Sequence, residues 1–263
     1  MRNHELKFID AHCHIDASDF DEDRFDVLRS AYDKGVISII SSALGVKSIQ
    51  KTLRIIEEIK SNSIPRLYPC FGLEPYELDE KEFQAVVAII KRNVDVIVGV
   101  GEVGLDFFRS RNHEDRNTQI ARFKEFVRLA AEIELPLIVH SRSSGKYALN
   151  ILKEMSAERV LMHAFDGKTR WAKMGVDLGY YFSIPTSVVR SSQKQKLAKM
   201  VPLGQLMLET DSPVLAPEKG SRNVPGNLPI VAKKVSEIKG VHIDSVAKAT
   251  HKNTSKLFNL NIL

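Results

Sequence analysis

Cysteine is scarce: the 263-residue chain has two, Cys13 and Cys70. They form neither a Cys-x-x-Cys pair nor a disulfide framework, so both are expected reduced in or near the core. No run approaches the length of a membrane span, and the N-terminal MRNHELKFIDAHCHID interrupts with charges and histidines the apolar stretch that a secretory peptide needs. The expected compartment is therefore cytoplasmic, and the Asn253-Thr254-Ser255 sequon is read as incidental. Gly/Ser-rich linkers, low-complexity tracts and repeats are missing as well, which argues for one domain over 1–263. Nor is there a strong excess of either charge. Subtracting 33 acidic from 38 basic residues leaves +5, which permits a polyanionic partner without requiring one.

What is present is a regular alternation of strand and helix patterns. Apolar runs at 8–14, 36–41, 66–71, 96–101, 135–140, 158–163, 180–184 and 205–209 read as eight strands. Helical periodicity fills the intervals, as in 47–60, 80–93 and 117–134. Near-continuous apolar strands fit a parallel sheet covered by helices. Eight βα units in this length describe an α/β fold, a single (β/α)8 TIM-type barrel, although a doubly wound open sheet has similar strands.

The polar residues at the strand ends separate the two folds. In FIDAHCH, His12 and His14 occupy alternate positions and share one face of an extended strand, with Asp10 behind them and Ala11 and Cys13 opposite. Alone, a His-x-His pair is weak evidence for a metal. Here Glu102, His140, His163 and Asp211 each close a later apolar run, at proposed strands 4, 5, 6 and 8. A barrel brings those ends to one mouth, whereas an open sheet would spread them in a row. Gly99, Gly101 and Gly104 spell the dinucleotide fingerprint G-x-G-x-x-G, but a polar loop follows instead of a helix. These glycines are read as letting backbone crowd around Glu102.

In order and spacing, FIDAHCHID, GEVGLDF, HSR, HAFDG, LETDSP and RNVPGNLP resemble the TatD family of metal-dependent deoxyribonucleases, among the amidohydrolase-like barrels. The tail SEIKGVHIDSVAKATHKNTSKLF is similar to that family's closing helices. The resemblance implies that His12, His14 and Asp211 hold one divalent metal, that His140 and His163 hold a second, and that Glu102 bridges them. Zinc, manganese, magnesium or nickel would suit such ligands. The expected activity is hydrolysis of DNA phosphodiesters, as an exonuclease, through a metal-activated water, with Glu102 and Asp211 as catalytic groups and Asp211, at the mouth beside that water, as the candidate general base.

In one place the chain departs from the family pattern: the usual G-x-H-P reads GLEP, so Glu74 stands where a histidine is expected and puts the substrate in question. Arg142 and Arg222 are candidate phosphate contacts, each with a surface role as its alternative. Arg109, Arg111 and Arg116 form a basic cluster diluted by Glu114 and Asp115. Arg190, Lys194, Lys196 and Lys199 read as a solvated helix face. His4, His113, His242 and His251 lie off the strand ends and are expected to have no metal role. Phe107, Phe108 and Trp171 can stack on bases or pack in the core.

DNA is thus the expected partner and RNA an accommodated one, with no membrane and no obligate protein partner. A hydrolase acting on an ester or amide, such as an aminoacyl-nucleic acid, would use the same centre. A nucleic-acid-binding protein without chemistry is the third class, and the complete ligand set argues against it.

Overall fold

A computed structural model describes residues 6–59, 61, 63–110 and 112–261. Eight parallel strands follow one another around the sheet in chain order: β1 (Phe8–Cys13), β2 (Val36–Leu44), β3 (Arg66–Gly72), β4 (Gly99–Gly104), β5 (Leu137–His140), β6 (Val160–Met162), β7 (Tyr181–Ile184) and β8 (Leu206–Leu208). Between them run α1 (Arg24–Asp33), α2 (Val46–Glu58), α3 (Glu80–Arg92), α4 (His113–Glu132), α5 (Gly145–Glu154), α6 (Thr169–Asp177) and α7 (Ser192–Met200). Then α8 (Leu228–Lys239) and α9 (Ile243–Phe258) end the fold. The barrel closes where the Asp211 amide donates to His12 O (3.0 Å) and the His14 amide to Ser212 O (2.8 Å). This is the expected TIM-type barrel.

The sequence sets several boundaries directly. Asp79, Asn112 and Ser191 cap α3, α4 and α7 by accepting from the amides of Lys81, Asp115 and Lys194. Gly240, in the left-handed conformation, ends α8. The end expected for the second helix, Lys60, lies outside the described residues, as do His4 and Arg111.

Two strands differ from their expected limits. β4 begins three residues later than the apolar pattern suggests, because Asn93 O accepts from the amides of both Val96 and Ile97 and holds 93–97 in a turn. Glu102 therefore lies inside β4, not beyond it. The glycines explain how the strand continues there: a Cβ on Gly101 would lie 2.6 Å from the Ile138 Cβ, and one on Gly104 would lie 2.1 Å from His140 O. β2 extends to Leu44, past two buried serines, Ser41 and Ser42.

Apolar residues form two bodies. The larger lies between sheet and helices. The smaller fills the barrel, where Ala11, Ile40, Cys70, Ile138, Leu161 and Met207 meet Leu257, Phe258 and Leu260 from the end of α9. The end of α9 thus plugs the N-terminal mouth, fastened by an Arg159 guanidinium N–H donating to Leu257 O (2.6 Å). Ala11 and Cys13 belong to different bodies, so strict alternation fails in β1, whose ladder is irregular between Asp10 and Cys13. Both cysteines are free and buried, as expected. The sequon Asn253 is spent inside the fold, donating to Leu203 O and Leu206 O. Among the described residues no helix is long and apolar enough to cross a membrane.

Candidate metal centre

With its lower mouth plugged, the barrel opens at the carboxyl ends of its strands, where six side chains from five strands converge. His12 Nε2 lies 3.2 Å and His14 Nε2 3.3 Å from Glu102 Oε2, and both lie 3.5 Å from Asp211 Oδ1. On the other side of the same carboxylate, Glu102 Oε1 meets His140 Nδ1 and, at 3.4 Å, His163 Nε2. Each oxygen of Glu102 therefore faces a different pair of imidazoles.

Neighbouring groups orient the rings. The Ser42 hydroxyl contacts His12 Nδ1 (3.1 Å), and Ser42 O lies 2.9 Å from His14 Nδ1, which turns both Nε2 atoms toward the carboxylates. Glu209 Oε2 holds His163 Nδ1 at 3.0 Å and accepts from the Ser183 hydroxyl, and Asp106 Oδ2 lies 3.4 Å from His140 Nε2. Partners of this kind fix tautomer and direction in metal-binding histidines. Neither Ser42 nor Asp106 is recognisable as a site residue from the sequence. Glu209 has a readable signal, standing two positions before Asp211 as His12 stands before His14.

The electrostatics suit a cation. Burial opposes charge throughout, yet the nearby imidazoles His163 and His140 hold Glu102 well below the usual carboxylate range, and His163 with His12 and His14 holds Asp211 down. Against the same burial penalty, Asp211 and Glu102 raise His14, Glu209 and Glu102 raise His163, and Glu102 and Asp106 lift His140 to about 9. Protons thus balance the carboxylates, and a cation would replace them.

The donor set fits that replacement. His12 Nε2 is fully buried with no hydrogen-bond partner, an orphan that a cation would satisfy. Three groupings have ligand atoms within 4.8 Å of one another: His12, His14 and Glu102; His12, His163 and Asp211; and Glu102, His140 and His163. Neutral nitrogens with shared carboxylate oxygens are apt ligands for divalent ions. Asp211 has φ +55°, an uncommon value for a non-glycine residue.

Above the cluster lies a cavity of about 730 Å³, lined in part by His14, Glu74, Tyr76, Arg109, Arg142 and Lys194. Arg142 stacks on Phe108 (3.9 Å) and Arg109 on Tyr76 (4.0 Å) at its rim. Lys194 corrects the solvated-face expectation: its ammonium donates to Ala164 O (2.6 Å) and Phe165 O (2.9 Å), and burial lowers its pKa. Arg222 is held elsewhere, its guanidinium paired with both oxygens of Asp23 (2.9 and 2.6 Å) beside Phe20, and it does not line the cavity. Arg116 turns back to Ser110 O. Phe107 is buried, Phe108 is half exposed, and Trp171 lines a second cavity. Away from the cluster, His113 starts α4, His242 caps α9 and His251 lies within it.

A (β/α)8 barrel gathering four histidines and two carboxylates at its catalytic mouth defines a class, the metal-dependent barrel hydrolases. The family described as TatD related DNase matches residues 9–259, and this chain belongs to it. It is 39% identical to the Deoxyribonuclease TATDN3 of Homo sapiens, over 98% of this chain and 97% of the human protein. An uncharacterized metal-dependent hydrolase of Methanocaldococcus jannaschii is 33% identical, over 97% and 98% of the two chains. The crystal structure of YJJV, a TatD homologue of Escherichia coli K12, superposes with a TM-score of 0.87 at 29% identity, covering 97% of this chain and 99% of that one.

Proposed function

We propose that this protein is a divalent-metal-dependent deoxyribonuclease that digests DNA from an end. His12, His14 and Asp211 would hold one cation, His140 and His163 a second, with Glu102 between them. The observation that carries this reading is the division of Glu102, whose two oxygens face separate imidazole pairs. When bound, two ions among zinc, manganese, magnesium and nickel would supply Lewis acidity, acidifying a water and polarising a phosphoryl group.

The chain's own residues supply the rest. Asp211 presents Oδ1 to the imidazoles, and we assign its other oxygen to take the proton of the attacking water. Arg142 and Arg109, with the Lys194 ammonium, line the wall where phosphate oxygens would sit. Arg222, spent on Asp23, is left out of that role. Glu74 repels phosphate but accepts a hydrogen bond, so its wall suits the hydroxyl of a terminal sugar and favours digestion from an end. The DNase name of the human relative supports DNA as substrate.

The deciding experiment offers end-labelled single- and double-stranded DNA to chelated protein, with magnesium, manganese or zinc added back and Glu102→Ala alongside. Metal-dependent cleavage, absent in the variant and laddering from one end, is the expected result. Two bound metals with intact DNA but a cleaved aminoacyl ester would move the protein to the ester or amide reading.

A further inference from the structure

A second cavity, of about 600 Å³, lies beside the metal cavity and plays no part in the chemistry above. Asp166 lines both, and the Ser143 amide, in the loop after β5, donates to its Oδ2 at 2.8 Å. The Gln193 amide, also in the wall, ties α7 to the β6–α6 loop by donating to Phe165 O (3.1 Å) and Gly167 O (3.2 Å). The two cavities are therefore neighbours that share Asp166 in their walls and draw on the same loops after β5 and β6.

The walls of this second cavity are cationic and aromatic. Lys146, Lys168, Arg170 and Lys196 line it, against the one acid Asp166, whose carboxylate already accepts from Ser143. All four cations are exposed, and none forms an ion pair among the described residues. Two of them rest on rings: Lys146 Nζ lies 5.3 Å from Trp171 and 5.9 Å from Tyr147, and the Arg170 guanidinium carbon lies 4.9 Å from Trp171. Tyr147 is half exposed.

We propose that this groove binds the continuation of a single DNA strand whose terminal nucleotide occupies the metal cavity. Bases stack on Trp171 and Tyr147, Lys146 and Arg170 leave the rings to meet phosphates, and Lys168 and Lys196 meet phosphates from the wall. Unpaired cations beside flat aromatic faces suit a strand with exposed bases, because every base offers a π-face and every linkage a charge. A paired duplex would keep its bases from the rings. The inference rests on the nuclease reading for its substrate, but it is testable apart from catalysis.

Trp171 is the chain's single tryptophan, so its fluorescence reports on the groove alone. The metal-loaded protein is titrated with phosphorothioate (dT)12, which resists hydrolysis, while the anisotropy of a labelled copy reports total binding. Saturable quenching that tracks anisotropy is expected, and thymidine 5′-monophosphate, a single nucleotide that ends within the metal cavity, should leave Trp171 unchanged. Replacing both Lys168 and Arg170 by Ala should weaken (dT)12 binding about tenfold and flatten its logarithmic salt slope by about 1.4, roughly 0.7 for each lost phosphate contact. Both side chains are exposed, so the melting temperature of the variant checks that it is folded.

Binding of (dT)12 without any Trp171 response, or undiminished in the folded double variant, overturns the groove, as does failure to bind. Cleavage of ordinary DNA, run in parallel, separates the two claims. Cutting without quenching removes the groove and leaves the nuclease, whereas quenching without cutting keeps the groove and removes the nuclease.

Discussion

Glu102 is the residue on which the proposed centre depends, because each of its oxygens faces a different pair of histidines. Glu102→Ala should abolish activity with the barrel intact, and metal analysis should find two ions per chain in wild type and fewer in the variant. The orienting groups should act more mildly. Ser42→Ala or Glu209→Gln frees a ring that must point one way, and metal affinity measured by calorimetry should fall about 10- to 100-fold. Protons compete with the cation. His140 sits at about 9 in the fold against 6.5 for the free side chain, so its attraction to Glu102 and Asp106 stabilises the metal-free fold fully below about pH 6.5. That contribution fades as pH rises through 9. The melting temperature of chelated protein should fall over this window, while the affinity for metal climbs as the imidazoles become neutral. An affinity independent of pH would contradict the ligand assignment.

Among the elements, β4 places the Glu102 carboxylate by dispensing with side chains around it. A methyl group at Gly104 would collide with His140 O, and one at Gly101 with Ile138, so neither position accepts alanine without moving β5. Gly104→Ala should lower stability by about 1–3 kcal/mol in urea unfolding and reduce activity with it, since the displaced strand carries His140. The role of these glycines could be read from their spacing and from the polar loop that follows. The limits of β4 could not, because VIV reads as strand until the Asn93 carbonyl captures two of the amides that a ladder would use. Lys194 escaped detection for a related reason. Its neighbours on α7 are solvated lysines, and nothing local marks the one that tertiary packing folds over Ala164 and Phe165.

The whole barrel holds together at two seams. At the upper seam, buried Asp10 accepts from both the amide (2.9 Å) and the hydroxyl of Thr210, joining β1 to the end of β8. At the lower mouth, Phe258 and its neighbours fill the interior from below. Phe258→Ala should therefore destabilise the entire fold by about 3–5 kcal/mol, read from denaturant midpoints. Metal binding couples to the same equilibrium. Saturation at a hundredfold over the dissociation constant should stabilise the protein by about 2.7 kcal/mol per independent site, seen as a rise in melting temperature that a chelator reverses.

The sequence by itself determined the eight βα units, their parallel arrangement and the six polar residues at the strand ends, because hydrophobic periodicity and strand-end position are local properties of the chain. Only the tertiary structure decided which cations face the cavity. Arg222 was as plausible as Arg142 until folding set Asp23 beside it, and Lys194 looked solvated until the β6–α6 loop came over it. It alone also decided how the histidines are aimed, since Ser42 and Glu209 reach their rings from 30 and 46 residues away. Hydrogen-bond direction depends on which strands become neighbours, and that is settled when the barrel closes.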